Sequence, residues 1–438
     1  RIRMDEKKAE ETKRYSIIDG SFWSIMSNAG LSYLAPFAIA INAPLQIVGA
    51  MTSVPTLLDG IGQMAASRTK ARGGRGELAT RSVAVQALFW LFLAGLAICS
   101  PNISSDGTYI LLVFFAAAIF FFGGFADPFW FSMMGDVVRD EDKATWFGNR
   151  NRINIVVGFV TLLVAGLLLE SLKSNPLLGF VLLFLAAGIS RLIGSYFLSL
   201  HYDPPKASGY GSEPGKEVKK YAQTLFLMYF AINVSSGYSA YYAISFLNLD
   251  YLQFSIALAF FTIMQAIAAP HWGRLMEKYG AKKVFVASAG LMAPLPFFTS
   301  FMHDAPGIML SYSYSGIMIS GMNLAILNYM YDITSPQVRI KARGQSSFSI
   351  GIGTFLGVAA GGAIMSLFGG AGQSAFYAVF FASSICRFAA VAFANFSLKE
   401  PKPARENAKV GDMIVKIVTV YPIKGVMYDL NALARRFQ

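Results

Sequence analysis

Charged residues are scarce in this chain, and their scarcity excludes an ordinary soluble domain. Only 14% of the 438 residues are Asp, Glu, Lys or Arg, whereas soluble domains carry about 25%. Hydrophobic residues make up 55% of the chain, and the mean hydropathy is +0.48. Most of the chain must therefore face lipid or other apolar helices rather than water.

Residues that bind metals, form disulfides or carry out catalysis are also few. The two cysteines, Cys99 and Cys386, lie in or beside apolar runs, which argues against a disulfide framework. The three histidines match no metal-ligand spacing, and no G-x-x-x-x-G-K-[ST] segment is present for nucleotide binding. We therefore expect no enzymatic activity, no metal and no cofactor other than protons as a coupling ion.

What the chain does contain is a series of long apolar runs, which predict an all-α membrane protein with twelve transmembrane helices. Residues 17–200 and 221–397 are predicted to form two six-helix bundles, joined by a linker at residues 201–220 that is rich in Pro, Gly and charge. Residues 1–16 are predicted to be a polar tail. Residues 398–438 form a second tail, whose short apolar runs suit an interfacial amphipathic segment.

The chain repeats itself at a shift of 196 residues, which aligns residues 136–166 with residues 332–362. The matched pairs include Asp136 and Asp332, Lys143 and Arg339, Gly148 and Gly344, Gly166 and Gly362, and Arg191 and Arg387. Self-similarity at a long period indicates two related halves. In membrane transporters two such halves frame a central path, so we expect a pseudo-two-fold axis along the membrane normal.

Basic residues are distributed with a strong asymmetry. Of the 37 lysines and arginines, 34 lie in every second polar segment, beginning with the N-terminal one, and these seven segments fall on one side of the predicted membrane. Only Lys173 lies in a segment on the other side. The positive-inside rule then places both termini and the linker in the cytoplasm of a multi-pass cell-membrane protein, which we expect to be a monomer. Positive charge spread over seven short segments also argues against a nucleic-acid partner and leaves the lipid bilayer and a small-molecule substrate.

Residues 273–283, GRLMEKYGAKK, resemble the cytoplasmic loop signature of the major facilitator superfamily, Gly-x-Leu-x-Asp-x-x-Gly-x-Lys/Arg-Lys/Arg. The resemblance implies a twelve-span secondary transporter in which this loop belongs to a cytoplasmic gate between two states. The first-half loop, residues 62–77, has Ala66 in place of the acid, so we expect a lopsided gate. The predicted gate residues are Gly273, Arg274, Glu277, Gly280, Lys282, Lys283, Asp136, Asp332, Arg339 and Arg343. Neither the drug/proton antiporter motif nor the sugar-porter motifs are present, so no subfamily is assigned.

Three acids lie within the predicted spans of the first half: Asp19, Asp59 and Asp127. The resemblance places their spans around a central cavity, and an ionised group inside a bilayer costs about 2.5–3.5 kcal/mol. Each acid either binds a proton or a cationic substrate group, or pairs with Arg191 or with backbone groups. Arg191 and Arg387 themselves are interpreted as structural, because the resemblance places their spans outside the cavity.

Aromatic and amide side chains supply the other substrate candidates. They are Trp23, Trp130, Asn233, Tyr238, Tyr241, Tyr242 and Asn323. Tyrosine and tryptophan rings bind organic and cationic groups, although rings near span ends also form the aromatic belt at a membrane surface.

The sequence therefore predicts a secondary active transporter that moves a small organic or amphipathic solute by alternating access, driven by protons or by the solute gradient. Export is our first expectation, because polar residues are sparse in the predicted lining. The alternative is a lipid-moving or non-transporting receptor variant of the same fold.

Overall fold

The computed structural model describes residues 2–69, 74–139, 143–204, 214–335 and 338–401, and these residues are almost entirely helical. A 3₁₀ turn (Leu31–Tyr33) follows the first helix, and a π-helix (Tyr242–Phe246) follows the ninth. In chain order the α-helices are α1 (Ile2–Ala29), α2 (Leu34–Ala40), α3 (Leu45–Arg68), α4 (Arg75–Cys99), α5 (Ser105–Val137), α6 (Lys143–Ser171), α7 (Pro176–Ser199), α8 (Lys216–Ser236), α9 (Ser239–Tyr241), α10 (Tyr251–Tyr279), α11 (Ala281–Met292), α12 (Leu295–Thr299), α13 (Ala305–Ile333), α14 (Arg339–Leu367) and α15 (Gln373–Ser397).

Three pairs of these helices continue one another across short breaks, so the fifteen described helices form twelve segments. The break between α1 and α2 lies at Gly30, against which the ring of Trp90 packs closely. The break between α11 and α12 lies at Pro294, whose ring and missing N–H interrupt a helix. Between α8 and α9 the chain turns at Gly237, which packs against Val358 of α14.

The first helix extends through the polar N-terminal stretch. α1 begins at Ile2, so residues 2–16 of the predicted polar tail are helical and continuous with the first apolar segment. Its residues are mainly Glu, Lys, Arg, Met and Ala, which have high helix propensity. The hydroxyl of Thr12 accepts a hydrogen bond of 2.8 Å from the backbone N–H of Tyr202, which holds this extension against the end of the first half.

The helix boundaries reproduce the 196-residue repeat. α6 and α14 both contain 29 residues and begin 196 residues apart, while α5 and α13 end at Val137 and Ile333, again 196 residues apart. The packing repeats as well. α1 contacts α6 and α7 as α8 contacts α14 and α15, and α5 contacts α3 and α4 as α13 contacts α10 and α11.

The two halves meet along two helix pairs, α3 with α14 and α6 with α10. Exchanging each helix for its repeat turns one pair into the other, as a two-fold axis would require. The α3–α14 pair approaches closely at glycines. Gly60 lies against the backbone of Ser347 and Phe348, and Gly351 lies against the backbone of Thr56 and Leu57. Small residues allow such close approach between helices in a membrane.

Successive segments run in opposite directions, so the molecule has two ends. We call the end that carries the connection from α7 to α8 the linker face, and the other end the opposite face. At the linker face Arg75, which begins α4, forms ion pairs with Asp136 near the end of α5 and with Asp203 after α7. These ion pairs bring together three connections that are far apart in the sequence.

Seven helices in the described part of the chain are long and apolar enough to cross a membrane. The other segments fall short for local reasons: α1 and α8 begin with charged residues, α3 and α13 contain many small or polar residues, and α11 ends before Pro294. The seven are α4, α5, α6, α7, α10, α14 and α15.

The α8–α14 contact generates a stability prediction. Gly353, Gly357 and Gly361 of α14 lie directly against backbone carbonyls of α8. Substituting Gly357→Ala places a methyl group against the carbonyl of Phe230, so we expect the free energy of unfolding to fall by about 1–3 kcal/mol. The measurement is the thermal unfolding midpoint in an uncharged detergent.

Gly95→Ala is the matched control, because nothing lies within 4 Å of the added methyl group in α4. We expect this variant to be as stable as the parent or more stable, since alanine favours a helix. Equal midpoints for the two variants would contradict the close α8–α14 packing.

Candidate functional site

A polar bridge joins the two halves toward the linker face. Asp127 of α5 forms an ion pair with Arg343 of α14: its Oδ2 atom accepts a hydrogen bond of 3.1 Å from Nε and lies 3.0 Å from Nη2. Beside them the Ser347 hydroxyl donates to Gln63 Oε1 of α3 over 2.7 Å. We use the name polar bridge for these four residues.

Asp59 extends the polar bridge within the first half. Its Oδ2 atom accepts a hydrogen bond of 2.9 Å from Gln63, and it interacts electrostatically with both Asp127 and Arg343. Asp127 pairs with the guanidinium directly at a half-buried position, with the Asp127 side chain 34% exposed and the Arg343 side chain 28%, and Asp59 is a second carboxylate within its electrostatic influence. Adding a proton to this group would change how strongly the two halves are held together.

The halves also touch on the opposite face. The hydroxyl groups of Tyr33, after α1, and Ser255, in α10, form a fully buried hydrogen bond. The ring of Tyr238 packs against Gly49 of α3. Contacts at both ends thus enclose the space between the halves.

A cavity of about 370 Å³ lies in that space, and we call it the main cavity because residues of both halves line it. Ser32 and Thr52 of the first half line it, together with many residues of the second half. The second-half lining includes Tyr242, Tyr312 and Arg387, alongside several serines and phenylalanines.

A second, first-half cavity of about 280 Å³ is lined by Asp19, Trp23, Asp127, Trp130, Arg150 and Arg191, among others. The Oδ1 atom of Asp19 lies 3.8 Å from Nη1 of Arg191, whose Nε donates to Gln86 over 2.6 Å. The guanidinium of Arg150 lies 4.4 Å above the ring of Trp130. This cavity holds two of the predicted acids and both predicted tryptophans, with Asp127 linking it to the polar bridge.

The predicted amide and tyrosine candidates are dispersed. Tyr242 lines the main cavity, and its hydroxyl donates to the Met302 carbonyl over 3.1 Å. Asn233 of α8 instead donates to the Thr354 hydroxyl of α14. Tyr238, between α8 and α9, donates to the Val358 carbonyl of the same helix. Tyr241 stacks on Phe376, and Asn323 is exposed and lines neither of the two cavities.

The signature loop has a different acid from the one expected. Gly280 turns the chain between α10 and α11 with a positive φ of 88°, as a glycine allows. Glu277 is exposed. Instead, Glu400 accepts a hydrogen bond of 3.3 Å from the backbone N–H of Lys282 at the start of α11. Burial raises the pKa of the Glu400 carboxyl above its ordinary value.

The first half contains the same device. Asp203 accepts a hydrogen bond of 3.2 Å from the backbone N–H of Gly76 at the start of α4 and pairs with Arg75. Sequence reasoning missed Asp203 and Glu400, although a signal existed. Each acid directly precedes a proline just after the last helix of its half, and the two lie 197 residues apart.

The remaining gate residues stay separate from the polar bridge, except Arg343. Asp136 is held by Arg75 within the first half, and Asp332 lies half-buried near the end of α13. The side chain of Arg339 and the tail beyond residue 401 lie outside the described residues.

Comparison with known proteins agrees with this architecture. Residues 222–430 match the family model described as Major Facilitator Superfamily. Over 148 residues the chain is 33% identical to Multidrug resistance protein 2 of Bacillus subtilis (strain 168). That alignment covers 33% of this chain and 34% of the relative, so it spans about a third of the relative's length.

Solved transporter structures share the fold over nearly the whole chain. A bacterial homologue of the human lysosomal transporter Spinster, inward-facing and occupied, has a TM-score of 0.66 at 15% identity, covering 90% of this chain and 98% of its own. A bacterial homologue of the iron transporter ferroportin has a TM-score of 0.66 at 13% identity, covering 89% and 98%. A mutant of the nucleoside transporter NupG has a TM-score of 0.64 at 13% identity, covering 88% and 99%.

The apolar helices and this fold define an all-helical, multi-pass membrane protein. The family model covers just under half of the chain and includes the signature loop, residues 273–283, so the match agrees with the resemblance of that loop to the major facilitator superfamily. The solved structures that share the fold are transporters.

The cap on α11 generates the second prediction. Replacing Glu400→Ala removes the acceptor for the Lys282 N–H, and losing a helix cap costs about 1 kcal/mol. We expect amide hydrogen exchange in the first turn of α11 to become about fivefold faster. Glu277→Ala is the control and should leave this exchange unchanged, because Glu277 is exposed. Faster exchange in the control alone would assign the cap to Glu277.

His201 generates a pH prediction. It lies just after α7, and burial lowers its pKa from the ordinary 6.5 to about 4. Between these values the unfolded chain binds more protons, so the contribution of His201 to stability is full above pH 6.5. It is lost as the pH falls toward 4, by about 3 kcal/mol.

We expect His201→Gln to flatten the fall of the unfolding midpoint between pH 6.5 and pH 4. The exposed His303 provides the control substitution, His303→Gln, which should keep the parent's pH profile. A His201→Gln profile that runs parallel to that of the parent would contradict the assignment.

Proposed function

We propose that this protein is a secondary active transporter that moves a small organic or amphipathic solute across the cell membrane by alternating access. The observation that carries the proposal is the pair of inter-half contacts on either side of the main cavity. The polar bridge lies toward the linker face, and the Tyr33–Ser255 hydrogen bond lies toward the opposite face.

Two rigid bundles can rock about the helix pairs that join them. In this proposal the twelve segments all span the bilayer as two six-helix bundles related by a two-fold axis along the membrane normal. The α3–α14 and α6–α10 contacts act as the pivots. Opening toward the linker face requires the polar bridge to break, and opening toward the opposite face requires Tyr33 and Ser255 to separate. Basic residues make the linker face cytoplasmic.

Protons are the proposed coupling ion, and no other cofactor is invoked. Asp127 pairs with Arg343, and Asp59 interacts electrostatically with both of them. A proton on either carboxylate reduces the negative charge that holds the guanidinium. Protonation therefore favours opening of the linker face, whereas release of the proton favours its closure. In this scheme the acids couple proton binding to the opening of the linker face, and the solute binds in the main cavity.

The similarity to Multidrug resistance protein 2 supports an organic solute, since the name of that relative describes resistance to drugs. Transport separates this proposal from a receptor variant of the same fold. The test is uptake into proteoliposomes, under an imposed pH gradient, of two membrane-impermeant probes with the same body, para-butylbenzenesulfonate and para-butylphenyltrimethylammonium. Uptake of neither probe, with or without the gradient, would contradict the proposal.

The polar bridge yields the fourth prediction. Asp127→Asn and Arg343→Gln each remove a charge-assisted hydrogen bond of about 1.5–3 kcal/mol. We expect the linker-face-open population to rise about tenfold or more relative to the closed one. Spin labels at Gly135→Cys and Ser335→Cys, with the native cysteines replaced by serine, measure this opening.

Arg81→Gln is the control, because Arg81 forms an exposed ion pair with Glu77 within one helix. Its spin-label distances should match those of the parent. We further expect Asp127→Asn and Asp59→Asn to make uptake insensitive to the pH gradient. Unchanged distances in both polar-bridge variants, or full pH-gradient dependence in both acid variants, would contradict the coupling role.

A further inference from the structure

Arg387 is a buried cation without a counter-charge. It lies in the middle of α15 and is 5% exposed. Its Nη atoms donate to the carbonyls of Met292 and Ile232 over 3.3 and 3.2 Å and to the Ser235 hydroxyl over 3.4 Å, while Nε has no partner. Within the described ranges no carboxylate lies at ion-pair distance from this guanidinium. Burying an unpaired charge inside a membrane costs free energy, so such a charge indicates a specific role.

The repeat shows what is missing. Arg191 occupies the corresponding place in α7 of the first half, where Asp19 of α1 supplies a negative charge and Gln86 a strong acceptor. In the second half α8 replaces α1, and Ile232 and Ser235 face the arginine instead of an acid. Arg387 therefore lies at the repeated position of Arg191 but has no acidic partner among the described residues.

Arg387 also lines the main cavity, whereas Arg191 lines only the first-half cavity. The main cavity has no carboxylate among its described lining residues. Its polar lining consists largely of hydroxyl groups, including Ser32, Thr52, Ser236, Ser311 and Tyr312. Its apolar walls include the rings of Phe254, Phe261 and Phe380. One cation, a lining without carboxylates among the described residues, and aromatic walls are complementary to an organic anion.

We propose that the main cavity is the solute site and that Arg387 binds the anionic group of an amphipathic organic solute, such as a carboxylate, sulfonate or phosphate ester. The inference rests on the proposed transport function and narrows its substrate class. The Nε atom has no partner among the described residues, so it is the donor that can bind an oxygen of the anion, while the guanidinium supplies the positive charge. The bound solute supplies the negative charge that Asp19 supplies in the first half.

This assignment changes two expectations from the sequence. Arg387 was interpreted as structural, and Asp19, Asp59 and Asp127 were considered for binding a proton or a cationic group of the solute, yet Arg387 lines the main cavity and none of the three acids does. They lie in the first-half cavity or at the polar bridge. An acid that couples protons and an arginine that binds the solute therefore occupy separate places.

The test is equilibrium binding to the full chain in an uncharged detergent. The probes are para-butylbenzenesulfonate, neutral para-butylbenzyl alcohol and cationic para-butylphenyltrimethylammonium, which share the same butylphenyl body. We expect the sulfonate to bind the parent about 10- to 100-fold more tightly than the alcohol, because hydrogen bonds to charged groups carry that advantage. Equal binding of all three probes, or a preference for the cation, would overturn the proposal without any variant.

Arg387→Gln should abolish the preference for the sulfonate while leaving the alcohol's affinity within about threefold. Arg387→Lys keeps the positive charge but loses the planar guanidinium with its Nε donor, so it should keep the preference for the sulfonate at a reduced level. Lys173→Gln, which removes an exposed cation on the opposite face, is the charge-matched control and should bind like the parent. A sulfonate preference that survives in Arg387→Gln would place the anion elsewhere and reject the role of Arg387.

The failure of this inference is distinguishable from failure of the transport proposal. Selective sulfonate binding that depends on Arg387, without uptake into proteoliposomes, keeps the anion site and rejects transport. Uptake of the trimethylammonium probe that is indifferent to Arg387→Gln keeps transport and rejects the anion site.

Discussion

The close approach of α3 and α14 is the constraint on which the rest of this structure depends. Lipid tails are as apolar as leucine side chains, so helices within a bilayer gain little from burying hydrophobic surface and depend on close packing. Gly60 and Gly351 let the two backbones meet. Only at that separation does the Gln63–Ser347 hydrogen bond close, with Asp127 and Arg343 paired beside it. The glycines thus position the polar contact that would break and re-form in the proposed alternating-access mechanism.

Charge is distributed unequally between two halves of one design. The first half neutralises its buried arginine with Asp19 and Gln86. The second half leaves Arg387 facing carbonyls, hydroxyls and an open cavity. The two halves share one scaffold, but only Arg191 has an acidic partner among the described residues. Arg387 faces a cavity instead, where it is placed to bind a solute. In the proposed mechanism the same asymmetry assigns proton coupling to the acids and solute binding to Arg387.

Much of the architecture was predictable because it depends on local and periodic features of the chain. Hydropathy predicted membrane helices, and the 196-residue shift predicted the matched boundaries of α6 and α14. The candidate site was only partly predictable. Asp127 and Arg343 were named separately, one as a proton candidate and one as a gate residue, and the structure brings them together. Tyr238 and Asn233 lie between helices instead, because whether a side chain on a buried helix faces a neighbour or a cavity depends on helix rotation, which the sequence alone does not specify.

The sequence by itself determined a duplicated, helical membrane protein with an asymmetric distribution of basic residues. Hydrophobic run length, internal similarity and the placement of Lys and Arg act along the chain and need no contacts. Only the tertiary structure decided which charges are paired. Asp203 and Glu400 reach helix starts more than a hundred residues away, and Arg387 meets no acid among the residues that the structure describes. Such pairings depend on distances of a few ångströms between segments remote in sequence, and packing alone sets those distances.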